Sequence, residues 1–326
     1  MAPPLHTFTA QLTALTTALV VASAAPAAAQ DAEAAAFRGS SMVYRNAMTA
    51  VSADASSELT YNPVYTMSLS LAPRWYLAGE TYVRAGTSVS RELTDSDWTT
   101  QQGEFILGDT TLGVGNSQLW VAPVIETAFS ADLGVRLPTS KVSQARTLQV
   151  AIEPRVGISR TFPVLKGLSL GYGFSMAADL HEYTTGEIES PRIPGCVVDC
   201  ERHVNTGVRN TRWRMSHTFS VGLGIFDWLA LGAGAGVHTH WLHPAMAVEG
   251  QSFEPQADTN TRHYVNYDLE ATVTPFSGFA IGVGATTYNP QQQPDSAYYD
   301  PVFNRFTELF IDLRFEAAGL ASLGEG

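Results

Sequence analysis

Apolar and polar residues alternate with a period of two along much of this chain. Between 168 and 183, Leu168, Leu170, Tyr172, Phe174, Met176 and Leu180 share one face, and Ser169, Gly171, Gly173, Ser175, Asp179 and His181 the other. Between 212 and 225, Trp213, Met215, Phe219, Val221, Leu223 and Ile225 oppose Arg212, Arg214, Ser216, Thr218, Ser220, Gly222 and Gly224. Val265, Tyr267, Leu269 and Val273 likewise oppose Asn266, Asp268, Glu270 and Thr272. Near the end of the chain, Leu309, Ile311, Leu313 and Phe315 alternate with Glu308, Phe310, Asp312 and Arg314. A period of two belongs to β-strands and excludes helix here.

Such segments are predicted near 41–50, 61–72, 75–90, 104–115, 118–137, 146–161, 167–183, 209–225, 228–242, 262–275, 279–289 and 305–316. The connections fall into two classes. Short turns are expected at Ala72-Pro73-Arg74, Gly115-Asn116-Ser117, 162–167, 226–228 and 275–278, and long polar loops at 91–103, 138–146, 184–208, 243–261 and 291–304. An up-and-down sheet puts the short turns at one rim and the long loops at the other. That asymmetry is the one expected of an outer-membrane barrel with periplasmic turns and extracellular loops. The expected fold is therefore all-β: an antiparallel up-and-down transmembrane β-barrel of about twelve strands. Its apolar face meets lipid and its polar face lines a lumen.

The first residues agree with export. Residues 1–29 contain no Asp, Glu, Lys or Arg, the stretch 12–29 is rich in Leu, Val and Ala, and Ala27-Ala28-Ala29 precedes Gln30. This pattern reads as a signal peptide over 1–29. A short periplasmic segment or small lumen cap then occupies 30–40, the barrel 41–316, and a periplasmic tail 317–326. No later run reaches the ~18 apolar residues of a spanning helix. The expected location is the outer membrane of a Gram-negative-type envelope, with lipid as the required partner. The barrel-assembly machinery is the expected partner of the C-terminal strand.

Charge narrows the function classes. Lys+Arg number 19 against 31 Asp+Glu, a net charge of -12, with no basic cluster. That argues against nucleic-acid binding. Strand parity turns a set of charged residues inward: Glu80, Arg84, Asp109, Glu126, Asp132, Arg136, Glu153, Arg155, Asp179, Arg212, Arg214, Asp268, Glu270, Glu308, Asp312 and Arg314. Both signs fall on neighbouring strands. Such residues either pair among themselves as a polar network or form a selectivity lining that touches solute. Arg212 and Arg214 are the leading pair for an anionic group.

The two cysteines, Cys196 and Cys200, lie in a Pro-bounded polar loop and are candidates for a small disulfide-closed loop in an oxidising compartment. Imidazoles cluster at one rim. His238 and His240 point inward from one strand, His243 follows it, and His181 is inward on an earlier strand. Rim hydrogen bonding is favoured over a metal site, and no cofactor is expected. His217 has outward parity, toward lipid. Inward Gly232, Gly234, Gly236, Gly282 and Gly284 alternate within strands with no helix after them, so they are not a phosphate loop. Trp75, Tyr76, Trp213, Trp241, Tyr264 and Tyr288 near strand ends suit a membrane girdle, although Tyr264 and Tyr288 have inward parity.

Two short motifs carry a resemblance. Gly108, Asp109 and Gly113 fit a G-D-x-x-x-G strand, and Arg136, Leu137, Pro138 and Thr139 fit a strand ending K/R-L-P-T-G, with Ser140 in place of the last Gly. In these, and in its Gly-alternating hairpins over 60–316, the chain resembles outer-membrane proteins grouped as transporters of the phenol meta-degradation pathway. The resemblance implies a channel or transport role for small solutes, with hydrophobic or aromatic compounds among the candidates. It is looser toward long-chain fatty-acid transporter barrels, which carry an N-terminal plug. Fold-level analogy does not identify cargo.

The reading reached is a passive channel or facilitator for small solutes. One alternative is a structural or adhesive barrel acting through its outer loops. Another is an outer-membrane lipid hydrolase, for which no G-x-S-x-G or H-E-x-x-H is present. Oligomeric state is not legible in the sequence.

Overall fold

A computed structural model describes residues 36–50, 64–94, 103–189, 203–244, 260–293, 297–300 and 303–323. The leader at 1–29 and both cysteines, Cys196 and Cys200, lie outside the described residues. The strands are β1 (Ser41–Thr49), β2 (Tyr65–Ala72), β3 (Arg74–Ala78), β4 (Thr81–Glu92), β5 (Phe105–Leu107), β6 (Thr110–Ala122), β7 (Thr127–Leu137) and β8 (Leu148–Phe162). They continue with β9 (Leu168–His181), β10 (Thr185–Glu189), β11 (His203–Arg209), β12 (Thr211–Phe226), β13 (Leu229–Leu242), β14 (Thr261–Phe276), β15 (Phe279–Pro290) and β16 (Glu308–Glu316). Two short helices, α1 (Lys141–Ala145) and α2 (Ala317–Leu323), complete the set.

Each wall strand pairs antiparallel with its neighbours, and β1 pairs with β16 from Ser41↔Glu316 to Thr49↔Glu308, so the sheet closes. Counting β2–β3 and β5–β6 as single strands, the wall has twelve. Closure leaves no unpaired edge, as a wall in lipid requires. The first strand, whose pattern is weaker than the rest, is fully paired on both sides.

The turns at 162–167, 226–228 and 275–278 lie where expected. Two others do not. Ala72-Pro73-Arg74 is not a turn, because Leu71 faces Thr87 and Arg74 faces Arg84 in one unbroken register. Pro73 gives up its N–H, yet its carbonyl still accepts from Ala85 N at 3.0 Å. The chain reverses at Gly79–Glu80, where Gly79 has φ 52°. Gly115-Asn116-Ser117 is a bulge inside β6: Asn116 faces Ala131, but Trp120 faces Phe129. Asn116 Oδ1 accepts from Gln118 N at 3.0 Å and Asn116 Nδ2 donates to Thr81 Oγ1 at 3.0 Å, which holds the bulge closed. The reversal comes after Ala122, through Glu126 at φ 47°.

Two of the long loops carry regular structure. The 184–208 segment contains the β10–β11 hairpin, and the 138–146 segment contains α1.

Exposure separates the two faces. Ile311 is 52% exposed and the next residue, Asp312, 0%. The exposed set includes Leu77, Leu133, Val156, Phe219 and Val283, all outward by register. A water-soluble sheet would bury such residues, whereas a barrel in lipid presents them. Trp75, Trp120, Phe226, Trp228 and Phe276 lie exposed toward the turn rim, and Trp213 toward the loop rim. Tyr76, Tyr264 and Tyr288 do not join this girdle. Tyr76 meets Tyr82 inside at 5.5 Å, and Tyr264 stacks on Tyr288 at 5.4 Å on the inward face.

Candidate functional site

The lumen wall is built from glycine troughs bridged by charged side chains. Arg84 on β4 reaches past β6 to Asp132 on β7, with Nη2–Oδ1 at 2.5 Å and Nε–Oδ2 at 2.8 Å. Gly113 and Gly134 form the floor of this bridge: a Cβ at Gly113 would sit 3.0 Å from Arg84 Cζ. The arrangement repeats across the barrel. Arg314 on β16 meets Glu270 on β14 at 2.5 Å, over Gly282 of the intervening β15. A Cβ at Gly234 would strike the Asp268 carboxylate, and one at Gly236 the Asn266 amide. The period-two glycines therefore let polar side chains lie flat along the wall instead of projecting to the barrel axis.

Two groups of ion pairs stand out along the wall. Asp179 receives Arg214 through two bonds at 2.9 and 3.0 Å and Arg136 through one at 2.9 Å. Arg155 pairs with Glu153 at 2.9 Å, and Glu153 lies 3.9 Å from Arg214. In the second group Asp312 takes a two-bond contact from Arg45 at 2.7 and 2.8 Å and a third from Arg314 at 2.9 Å. Planar guanidinium–carboxylate forks fix both partners in orientation as well as charge. Arg45 was not among the residues singled out by sequence, although Val43, Arg45, Ala47 and Thr49 alternate against Met42, Tyr44, Asn46 and Met48 and carry the same signal.

Several predicted residues sit elsewhere than strand parity implied. Glu80 is in the turn before β4, bonded to Ser117 Oγ at 2.5 Å and Arg38 Nη2 at 3.2 Å. Glu126 is also in a turn. Arg212 and Arg214 do not act as a pair: Arg214 is held in the wall, whereas Arg212 falls in a register break between Thr211 and Trp213 and is exposed at the loop rim. There burial, and then the Arg212 charge, hold the loop residue His243 below the ordinary imidazole range. Arg74, at the turn rim, lies over the Tyr82 ring at 4.3 Å.

The histidines are spent on hydrogen bonds and ring contacts. His238 Nε2 donates to Asn266 Oδ1 at 2.6 Å while Ser216 Oγ donates to Nδ1 at 2.8 Å, an arrangement that suits the neutral ring. His240 is buried against Tyr264 at 4.8 Å. His181 Nδ1 donates to the Arg146 carbonyl at 2.8 Å. Among the described residues no group of three or more His, Cys, Asp or Glu could hold a metal ion. His217 does face lipid, and Tyr172 Oη, also outward, meets its Nδ1 at 2.8 Å. The pair hides two polar groups from hydrocarbon.

The Gly108–Asp109 and Thr139–Ser140 segments meet at the mouth. Asp109 Oδ1 accepts from Ser140 N at 3.0 Å and its Oδ2 from Ser143 Oγ at 2.5 Å. Thr139 Oγ1 donates to the Gly108 carbonyl at 2.8 Å and accepts from Thr110 N at 2.7 Å. Ser140 caps α1 by accepting from Ser143 N at 3.1 Å. Ser140, Ser143 and Ala145 are buried, so this loop is tied down on the rim.

No family model matches the chain, and no curated protein matches it. Among solved structures, an outer membrane channel from Pseudomonas putida F1 is similar at TM-score 0.52 and 9% identity, over 88% of this chain and 99% of that one. The NanC porin gives a TM-score of 0.42 at 9% identity over 84% and 98% of the two chains. LpxR from Salmonella typhimurium gives 0.38 at 11% over 84% and 99%. At such identities the first likeness is one of fold. That fold, a closed twelve-stranded antiparallel barrel with an apolar exterior and a charged interior, is of the outer-membrane β-barrel class.

Proposed function

We propose that this chain is a passive outer-membrane channel for small polar solutes. The observation that carries the reading is the wall itself: paired charges lie flat over glycine troughs, as between Arg84 and Asp132 over Gly113. Filling a barrel with structural packing calls for bulky inward side chains, whereas glycine troughs keep the cross-section for solute. The Pseudomonas putida channel of like fold supports the same reading. The charged wall favours polar over purely apolar cargo. Residues 1–29 serve as the export signal in this reading.

The test is single-channel recording of the refolded mature chain in planar bilayers. Reproducible current steps are expected. Silence from protein shown to be folded and inserted would overturn the channel reading in favour of a loop-borne surface role.

A further inference from the structure

We infer that the conduit passes small cations in preference to anions, and that Asp268 and Glu308 set that preference; the inference rests on the channel reading above. Not every charge of the wall is paired. Arg45, Arg84, Arg136, Arg155, Arg214 and Arg314 are each committed to a carboxylate within 2.5 to 2.9 Å. A guanidinium locked to a carboxylate contributes a local dipole and little net field. The side-chain carboxyls of Asp268 and Glu308 make no ion pair and no hydrogen bond among the described residues.

Their placement puts both acids in one zone. Asp268 on β14 faces Thr286 on β15, and Thr286 faces Glu308 on β16. The two carboxyl-bearing positions thus stand at one level of the inner wall, a single strand apart, with backbones about 9–10 Å from each other. The Thr286 hydroxyl between them turns to the Tyr267 carbonyl at 3.2 Å and so donates to neither. The nearest arginines on these strands and on β1, Arg314 and Arg45, are already held by Glu270 and Asp312. Arg74 lies at the opposite rim, on Tyr82, and Arg146, just ahead of β8, faces Tyr264 and Asp179. Uncompensated carboxylates on a narrow water-filled wall concentrate cations and repel anions from the path. The favoured solutes are therefore inorganic cations and small molecules bearing an ammonium or guanidinium group.

The experiment is the reversal potential under a potassium chloride gradient, for the mature chain and for the variants D268N/E308Q and T286K. All are first shown to be folded by heat-dependent gel mobility. The variant T286K places an ammonium between the two acids without removing either. D227N, in an exposed turn, serves as the control. The unaltered protein should reverse on the cation side, and both test variants should lower the cation-to-anion permeability ratio at least about twofold. A conducting protein that reverses at zero or on the anion side overturns the inference and leaves the channel reading standing, as does a ratio unchanged in D268N/E308Q. Absence of current from folded, inserted protein overturns the channel reading and this inference with it.

Discussion

Arg84 and Asp132 grip each other by two hydrogen bonds, at 2.5 and 2.8 Å, although a whole strand runs between the strands that carry them. The bridge is possible only because Gly113 and Gly134 leave its path clear. Removing one partner leaves a half-buried charge without its fork. Asp132→Asn is expected to lower stability by about 1–3 kcal/mol. Gly113→Ala should act through the same bridge, since its Cβ would lie 3.0 Å from Arg84 Cζ. Urea titrations of G113A, R84A and the double variant in lipid vesicles should then show a coupling of about 1 kcal/mol. Strict additivity would mean that the glycine serves some other purpose.

Asp109 ties down the loop that carries α1. Asp109→Ala removes the acceptor of both Ser140 N and Ser143 Oγ. Amide exchange over 140–146 should rise about tenfold or more, and single-channel current should become larger or noisier as the loop loosens. S143A, which loses one of the two bonds, should give a smaller effect. Unchanged exchange in D109A would show that the loop is held by its other contacts.

Tyr172 and His217 satisfy one another on the lipid face. Tyr172→Phe strands the imidazole in hydrocarbon, at an expected cost of about 1–3 kcal/mol. The double variant Y172F/H217L presents two apolar side chains and should recover most of that loss, read from unfolding midpoints in vesicles of fixed lipid composition. A double variant less stable than Y172F would rule out mutual shielding as the role of the pair.

Alternation made the wall legible because each residue's face depends on parity alone. It assigned Arg84, Asp132, Asp179, Arg214 and Asp312 to the interior, where they lie. Turn positions were less legible. Pro73 and the Gly115-Asn116-Ser117 run have turn chemistry, yet ladder pairing on both sides carries the strand through them. The pairing partner of a strand is set by the whole sheet, and local composition does not encode it. Partner choice was hidden for the same reason: nothing near Arg84 in sequence points to Asp132 two strands away. The β10–β11 hairpin and α1 went unread because each is short, and α1 depends on a cap whose carboxylate partner, Asp109, comes from another strand.

The seam between β1 and β16 bears on how the molecule is made. Arg45 emerges early in synthesis, but the carboxylate that neutralises it, Asp312, lies 267 residues further along. Until the final strand is in place, the first can pair on one side only, and the barrel cannot close. Contacts of such sequence separation are slow to form and leave strand edges open meanwhile. The Arg45–Asp312 contact thus forms only when the two ends of the chain come together. A chain truncated before its last strand therefore keeps Arg45 without its carboxylate and leaves β1 with an open edge.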